Sequence, residues 1–276
     1  MNTGKRIRLS RLIHRTSGRS IIVPMDHGAS MGPLDGLTNL RNSAVRLQLA
    51  PGLVQGVVLQ RGAMHHLDTI FLSSSSPARV LHLSGGTSLD PNPGTKSLVA
   101  QVEDALQTGA DAVSVQVNLG APGESTMLRD MGTVASACER WNMPLLAMMY
   151  VRRDGIASTQ VADVMFAARV AAETGADMVK VSCPATGERM REVVDGSFIP
   201  VLVAGGEFAH DPSRTAQIVR NAIVGGAAGI CVGRNVFQAQ HPAETLQMLA
   251  SIVHGSVDRP ETSSGDGKHR VALAVS

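Results

Sequence analysis

The sequence lacks the features that mark membrane, secreted and nucleic-acid-binding proteins. No apolar run reaches the roughly 18 residues that a membrane-spanning helix needs, and no apolar core of a secretory signal follows the start. The net charge is only +2, so the chain as a whole has little attraction for nucleic acid. Aromatic residues make up only 3%, with a single tyrosine among 276 residues. We therefore expect no membrane and no nucleic-acid partner.

Residues that bind metals or form disulfides are also sparse or scattered. Cys138, Cys183 and Cys231 are far apart and odd in number, which favours neither a disulfide framework nor a metal site. The nine histidines do not cluster with Cys or Asp at ligand spacing, and we expect His65-His66 on a surface helix. These patterns predict a protein of the reducing cytoplasm that uses no metal and no cofactor.

Short apolar runs alternate with amphipathic stretches along most of the chain. There are eight such runs: Ser20–Asp26, Gly56–Gln60, Arg79–Ser84, Ala112–Val117, Pro144–Tyr150, Met178–Ser182, Val201–Gly206 and Gly229–Arg234. They are rich in Val, Ile and Leu and bounded by Gly, Pro or polar residues, which is typical of buried parallel strands. Eight alternations favour an α/β fold with a single (β/α)₈ TIM barrel over a doubly wound sheet.

Three of the intervening stretches have clear helical patterns. The segments Ser97–Thr108, Gln160–Thr174 and Asp211–Val224 carry apolar residues at helical spacing, and the last opens with an Asp-Pro start signal. A Gly-containing ending recurs at 108–111, 174–177 and 225–228, where the chain turns into the next strand. These endings support the alternating pattern.

The two ends of the chain differ from the predicted barrel of residues 20–254. Residues 1–19 carry six basic residues and no acidic one, with apolar residues between them. This amphipathic pattern favours a segment that closes the barrel floor or contacts another subunit over a nucleic-acid-binding arm. Residues 255–276 are rich in Ser and Gly and without periodicity, so we expect this tail to be disordered, although its last six residues are apolar.

A lysine within an apolar run is the first candidate for catalysis. Lys180 lies in the Met178–Ser182 run, near the carboxyl end of a predicted strand, where TIM barrels place their active sites. A buried ammonium loses its hydration, so burial lowers the pKa of a lysine, and the neutral amine can attack a carbonyl. The alternative is a lysine that extends to a carboxylate at the rim.

Two further strand ends carry groups that transfer protons. Asp26 ends the first run and Tyr150 ends the fifth, so both are expected at the barrel mouth. The alternatives are an aspartate that caps the following turn and an aromatic side chain that packs on a rim loop. His27 alternates away from Asp26, which favours a structural role for it.

The seventh and eighth runs end in glycines. Gly205-Gly206 and Gly233-Arg234 follow the two strands whose loops commonly bind phosphate in TIM barrels. Glycines let backbone N–H groups approach phosphate oxygens, and the Arg234 guanidinium adds a charged fork. The sequence therefore predicts a phosphate site between these loops.

The ordered set of these motifs resembles the archaeal-type (DhnA-type) class I aldolases. The resemblance runs from about Gly4 to His254 and rests on these segments: Ile22–Gly28 with Gly32, Pro33 and Gly36, Tyr150 after its strand, Lys180 in Val-Lys-Val-Ser, Ala204–Gly206, and Val232–Gln238. Gly4–Leu9, His82–Thr87 and Met143–Tyr150 resemble in particular the branch of 2-amino-3,7-dideoxy-D-threo-hept-6-ulosonate (ADH) synthases.

This resemblance implies roles for the candidate residues. Lys180 would form a Schiff base with a ketose phosphate, Tyr150 would donate a proton and Asp26 would accept one. The implied substrate and phosphate site consists of Asp26, His27, Gly28, Ala29, Ser30, Tyr150, Val151, Arg152, Gly205, Gly206, Gly233 and Arg234. Where the family has Tyr-Pro-Arg-Gly, this chain has Tyr150-Val151-Arg152-Arg153, so the pocket for the second substrate differs.

The resemblance also implies a reaction and alternatives to it. The expected enzyme joins a carbon unit from a ketose phosphate to an amino-acid aldehyde such as aspartate semialdehyde, giving a seven-carbon 2-amino keto acid, as in aromatic amino acid biosynthesis. Dihydroxyacetone phosphate in a secondary-metabolite pathway is a second possible donor, and fructose-bisphosphate aldolase is the alternative activity. A phosphate-binding isomerase and a phosphosugar-binding regulatory protein stay open as other classes. Relatives in this family imply a homo-oligomer.

Overall fold

The computed structural model describes residues 2–48, 52–73, 75–209 and 211–255. Within these ranges the chain forms eight parallel strands in one sheet, each except the last followed by helical structure before the next strand. The strands are β1 (Ser20–Pro24), β2 (Gly56–Leu59), β3 (Ala78–His82), β4 (Ala112–Leu119), β5 (Leu145–Arg153), β6 (Met178–Val181), β7 (Val201–Ala204) and β8 (Gly229–Cys231). The tail predicted to be disordered lies outside the described residues from position 256 onward.

The sheet closes on itself. Neighbouring strands pair in chain order, β8 pairs with β1, and β4 pairs with β5, so the ring has no free edge. The predicted TIM barrel is therefore confirmed. The helices are α1 (Thr3–Arg11), α2 (Gly28–Met31), α3 (Leu40–Gln48), α4 (Arg61–His66), α5 (Val102–Gln107), α6 (Glu124–Trp141), α7 (Val161–Glu173), α8 (Gly187–Asp195), α9 (Pro212–Val224), α10 (Arg234–Phe237) and α11 (Pro242–His254).

Two of the three predicted helices match the structure closely, whereas the predicted start of the third helix was wrong. Helices α7 and α9 fall inside their predicted ranges, and the Asp211 carboxylate accepts a hydrogen bond from the Ser213 N–H at 2.9 Å. Instead of beginning a helix, Ser97–Leu98 pairs antiparallel with Ser84–Gly85. Helix α5 begins only at Val102, because the Asp104 carboxylate accepts the N–H of Gln101 at 2.8 Å and fixes the start there.

Apolar residues of the N-terminal segment pack at the amino-terminal end of the barrel. Leu9, Leu12 and Ile13 are buried in one cluster with inward-facing strand residues such as Ile22 and Leu202. Ile7, which the sequence placed among the same apolar residues, is instead 62% exposed. The segment covers one end of the barrel interior.

Basic residues of this segment pair with aspartates that precede strands. Arg11 contacts Asp111 at 2.5 Å, and the Lys5 Nζ lies 3.0 Å from Asp177. Both aspartates also accept a backbone N–H from a neighbouring strand. These two aspartates end the repeated Thr-Gly-Ala-Asp segments, so the repeat supplies anchoring carboxylates as well as helix stops.

The opposite end of the barrel interior is polar. Side chains alternate along a strand, so residues two apart share a face. Following the inward face from the apolar cluster toward the carboxyl ends gives Asp26, Gln60, His82, Ser114, Gln116, Asn118, Tyr150 and Lys180. The barrel therefore brings proton-transferring groups from separate strands to one mouth.

Candidate active site

Lys180 lies inside the barrel near its mouth. It is opposite Met148 of β5 and Leu202 of β7 in the strand register, and its side chain is only 8% exposed. Tyr150, two residues beyond Met148, faces the same side, and it is one of the neighbours that act to raise the pKa of Lys180. Strand geometry thus places the phenol directly beside the amine.

The charge state of Lys180 differs from the sequence expectation. Burial acts to lower the pKa of Lys180, but Cys231, Tyr150 and Asp26 act in the opposite direction, and the pKa lies above its ordinary value. The prediction of a lowered pKa was therefore wrong, because Cys231, Tyr150 and Asp26 lie around the buried lysine and outweigh the effect of burial. Burial also raises the pKa of the Cys231 thiol, to about 11, so the thiol is neutral near pH 7.

Asp26 is the carboxylate of this cluster. Burial acts to raise the pKa of Asp26, but His82, His27 and Lys180 outweigh that effect, and its pKa lies below the ordinary range. Asp26 is therefore ionised at neutral pH. An ammonium and a carboxylate that face the same cavity can serve as proton donor and proton acceptor.

His82 is a buried residue of the site that the analysis of strand ends missed. Its Nε2 lies 3.6 Å from Asp26 Oδ2, and its Nδ1 lies 2.8 Å from Ser114 Oγ. Burial lowers the pKa of His82, so its ring is neutral. If the Ser114 hydroxyl donates to Nδ1, the ring proton is on Nε2 and faces Asp26. The sequence could have indicated this position, because His82 follows Val80 by two residues and therefore lies on the same inward face of the strand.

His27 contributes packing at the rim. Its Nδ1 is 3.6 Å from Asp26 Oδ1, and its ring meets the Phe237 ring edge-on at 5.4 Å. Burial lowers the pKa of His27 to about 4, so it carries no charge at neutral pH. The next three predicted binding residues, 28–30, form the short helix α2, and the Ser30 hydroxyl donates to the His27 carbonyl at 3.1 Å.

The loops after β7 and β8 are tied together. The Arg234 guanidinium donates to the Gly206 carbonyl at 3.1 Å, and the Asn235 amide donates to the Gly205 carbonyl at 2.9 Å. A Cβ on Gly233 would lie 2.5 Å from the Pro24 carbonyl oxygen, so only glycine fits there. Gly206 has a φ of +73°, which also favours glycine. Asn235 was not among the predicted residues, although it holds both loops.

Side chains from Tyr150 onward point alternately to the inner and outer faces of strand β5. Arg152 is half-buried and its Nε donates to Asn118 Oδ1 at 2.9 Å. Arg153 is exposed and forms a two-pronged contact with Asp163, at 3.1 and 2.6 Å. The Val151 side chain packs in the core outside the barrel. Of this segment, only Tyr150 and Arg152 direct their side chains toward the mouth.

The described residues lack a metal-binding cluster and a membrane-spanning helix. In the ranges that the structure covers, no three His, Cys, Asp or Glu side chains are grouped so that they could hold a metal ion. Among the helices described there, none is long and apolar enough to cross a membrane.

Comparison with known proteins identifies the family. Residues 20–239 match the DeoC/LacD family of aldolases. The chain belongs to this family. It is 42% identical to the 2-amino-4,5-dihydroxy-6-oxo-7-(phosphonooxy)heptanoate synthase of Streptomyces griseus, over 92% of this chain and 91% of that protein. It is 37% identical to the 2-amino-3,7-dideoxy-D-threo-hept-6-ulosonate synthase 1 of Archaeoglobus fulgidus, over 96% of both chains.

Solved structures agree with these sequence relatives. The fold superposes with a TM-score of 0.80 on an archaeal fructose 1,6-bisphosphate aldolase that is 28% identical, covering 91% of this chain and 100% of the other. Another solved structure of an archaeal fructose-1,6-bisphosphate aldolase, with its catalytic lysine covalently bound to a carbinolamine intermediate, gives the same score at 29% identity, covering 91% and 100%. The resemblance to the class I aldolases is confirmed, and the protein is an enzyme of that type.

Proposed function

We propose that the enzyme joins dihydroxyacetone phosphate to aspartate semialdehyde through a Schiff base on Lys180. The observation that carries this proposal is the cluster of Lys180, Tyr150 and Asp26 at the mouth of the barrel, where a lysine ammonium, a phenol and an ionised carboxylate lie together. The product would be a seven-carbon 2-amino keto acid with a phosphate ester at the far end.

The choice of substrates follows from the chemistry in a relative's name. The 2-amino-4,5-dihydroxy-6-oxo-7-(phosphonooxy)heptanoate made by the Streptomyces griseus relative has a bond between carbons 4 and 5 that a reverse aldol step would break. Breaking it gives a four-carbon 2-amino-acid aldehyde and dihydroxyacetone phosphate. Identity of 42% across 92% of this chain supports the same pair of substrates here.

The first stage is formation of the iminium. Lys180 starts as an ammonium and passes a proton to Asp26, and the free amine then attacks the ketone carbon of the donor. The proton returns from Asp26 as the carbinolamine hydroxyl leaves as water, which regenerates the carboxylate. The iminium then withdraws electrons from the neighbouring carbon and makes its proton acidic.

The second stage forms the carbon–carbon bond. Asp26 removes the acidified proton, and the resulting enamine attacks the aldehyde carbon of the acceptor. Tyr150 donates its hydroxyl proton to the new alkoxide and regains one from Asp26, so protons balance over the cycle. Water adds to the new iminium and releases the product from Lys180. Neutral His82, which faces Asp26, holds the carboxylate in place during both transfers.

The phosphate of the donor would occupy the loops after β7 and β8. Gly206 leaves open space for close approach of backbone N–H groups, Gly233 lies in the loop after β8, and Arg234 supplies positive charge. The iminium acts as the electron acceptor, so we propose that no metal is needed. Activity should survive exhaustive treatment with EDTA, and a loss that zinc restores would contradict this.

A product assay tests the proposed substrates. The enzyme is incubated with dihydroxyacetone phosphate in the presence and absence of aspartate semialdehyde, and products are identified by mass spectrometry. The expected product appears only when both are present. Use of a deoxyketohexose phosphate as donor instead would indicate the ADH-synthase reaction, and efficient cleavage of fructose bisphosphate with the semialdehyde ignored would favour the alternative aldolase. Cytoplasmic location and a homo-oligomer stay predictions.

A further inference from the structure

A second group of cations lies at the mouth, in a loop that the sequence analysis did not assign. Lys96 belongs to the segment that connects Ser84–Gly85 to Ser97–Leu98 beyond β3. It is half-buried, and its Nζ donates to the carbonyls of Pro93 at 3.2 Å and Gly86 at 3.3 Å. Both acceptors are uncharged, so they orient the ammonium without neutralising it.

Arg152 reaches the same region from β5. Its Nε donates to Asn118 at 2.9 Å and its Nη1 to the Gly155 carbonyl at 3.3 Å. Its guanidinium lies 5.6 Å from the centre of the Tyr150 ring, which places it beside the proton donor. Like Lys96, it is held by neutral oxygens.

One buried amide connects the two cations. Asn118, at the end of β4, is fully buried; its Oδ1 accepts from Arg152 and its Nδ2 donates to the Gly94 carbonyl at 2.6 Å, two residues before Lys96. The loop that carries Lys96 and the strand that carries Arg152 are therefore fixed by the same side chain. The arrangement is built in advance of any ligand.

The two charges remain without a direct counterion. In the described part of the chain, neither Lys96 nor Arg152 forms an ion pair with a carboxylate. Burial and the neighbouring Arg152 lower the pKa of Lys96, although Asp26 and Asp90 partly oppose this. Like charges that are partly removed from water repel each other, and a bound anion would relieve the repulsion.

The position of these cations in the ring matches the shape of the proposed product. In a ring of eight strands, β4 lies across from β8 and β3 lies across from β7. The cations are attached to the ends of β3 to β5, while the phosphate loops follow β7 and β8. An extended product with phosphate at one end and carboxylate at the other would therefore reach both sides, with its ketone carbon next to Lys180.

We propose that Lys96 and Arg152 form the subsite for the carboxylate of the acceptor aldehyde. This assignment rests on the proposed function and extends it to a residue, Lys96, that determines specificity. A guanidinium offers two parallel donors to a carboxylate, and the ammonium adds a third. The neighbouring Arg153 takes no part, because Asp163 already holds its guanidinium outside the mouth.

Equilibrium binding tests the subsite without relying on turnover. L-Homoserine is the unreactive alcohol counterpart of aspartate semialdehyde, and 3-aminopropan-1-ol is the same molecule without the carboxylate. Affinities for both are measured by calorimetry for the unmodified enzyme, Lys96→Gln, Arg152→Gln and the matched control Arg153→Gln. We expect Lys96→Gln and Arg152→Gln each to weaken homoserine binding about tenfold or more, the loss expected for a charge-assisted hydrogen bond. Arg153→Gln should change nothing, and no variant should weaken 3-aminopropan-1-ol.

Two results would overturn the assignment. Equal losses for homoserine and 3-aminopropan-1-ol, or unchanged homoserine binding in Lys96→Gln, would mean that the cations do not bind the carboxylate. Glyceraldehyde 3-phosphate is the aldehyde acceptor of the alternative activity, fructose-bisphosphate aldolase. If a variant raises the KM for this aldehyde while homoserine binding is unchanged, the two cations bind a phosphate and not a carboxylate. Borohydride trapping of dihydroxyacetone phosphate in each variant separates this question from the proposed function. Trapping that fails in the unmodified enzyme contradicts the Schiff-base chemistry, whereas trapping retained in Lys96→Gln leaves only the acceptor subsite at issue.

Discussion

Two buried lysines, one at each end of the barrel, differ in what surrounds the ammonium group. Lys5, at the amino-terminal end, contacts Asp177 at 3.0 Å and Glu139 at 3.3 Å. Lys180, at the mouth, forms no ion pair of that kind among the described residues and instead has Tyr150 as a close neighbour. Burial is opposed by acidic neighbours in both, and the pKa of each lysine is raised. Neither burial nor the direction of the pKa shift therefore distinguishes the lysine that we propose to be catalytic from the other one.

The two lysines differ in whether the nearby carboxylate, Asp177 or Asp26, also accepts a backbone hydrogen bond from a barrel strand. Asp177 also accepts the Leu145 N–H at 2.8 Å, so its carboxylate is fixed to the barrel and to Lys5. Asp26 instead faces two neutral imidazoles at 3.6 Å and stays free to accept a proton. The comparison predicts a structural role for Lys5 and a chemical one for Lys180.

Replacing each lysine with methionine should give the largest difference between the chemical role of Lys180 and the structural role of Lys5. Lys180→Met removes the nucleophile, so turnover should be lost in a protein that still folds. Lys5→Met leaves Asp177 buried without its cation and should lower the free energy of unfolding by about 3 kcal/mol, while the folded protein keeps its activity. Turnover assays and urea unfolding of both variants measure this. Normal stability of Lys5→Met with reduced activity would reverse the comparison.

Tyr150→Phe sharpens the account of the mouth by leaving the lysine intact. The variant keeps the ring and removes the proton, so turnover should fall by about 10²–10⁴-fold. Trapping of the donor by borohydride should persist, because imine formation does not depend on the phenol. Near-normal turnover would show that Tyr150 only packs at the rim.

Arg234→Ala tests the phosphate side of the same mouth. Loss of a charge-assisted hydrogen bond should weaken binding of a phosphorylated donor by about 1.5–3 kcal/mol. Dihydroxyacetone, which lacks the phosphate, serves as the control ligand and should be affected far less. Equal weakening of the two ligands would place Arg234 outside the phosphate site.

The dependence of imine formation on pH tests whether Asp26 accepts the proton of Lys180. Transfer between two groups of the enzyme leaves the total number of bound protons unchanged, so the trapping rate should be flat near neutral pH. It should fall only in acid, below the ordinary carboxyl range, because the pKa of Asp26 is lowered. In Asp26→Asn the proton must leave to solvent, and the rate should rise by up to about tenfold per pH unit. A steep rise in the unmodified enzyme would exclude Asp26 as the acceptor.

The sequence predicted the parts of the fold that depend on local pattern. Runs of Val, Ile and Leu marked all eight strands, and the positions of Lys180, Tyr150 and Asp26 at or near strand ends placed them at the barrel mouth. The roles of these three residues stay predictions. Ser97–Leu98 was misassigned because its apolar spacing also fits a helix, whereas its pairing with Ser84–Gly85 is a contact that spacing does not reveal.

Contacts between segments that are distant in the chain could not be predicted from local sequence patterns. His82 faces Asp26 only because β1 and β3 belong to one closed ring. Lys96 lies in a loop without periodicity, and Asn118 joins it to Arg152 from a third segment. The raised pKa of Lys180 was missed for the same reason, since it depends on neighbours from other strands.

Trapping with borohydride followed by peptide mapping tests the central claim most directly. The enzyme is reduced in the presence of dihydroxyacetone phosphate, digested, and searched by mass spectrometry for lysines that carry the reduced donor. The account predicts the added mass on the peptide that contains Lys180, with Lys5 and Lys96 unmodified, and no label in Lys180→Met. Label on another lysine, or a labelled Lys180→Met protein, would contradict it.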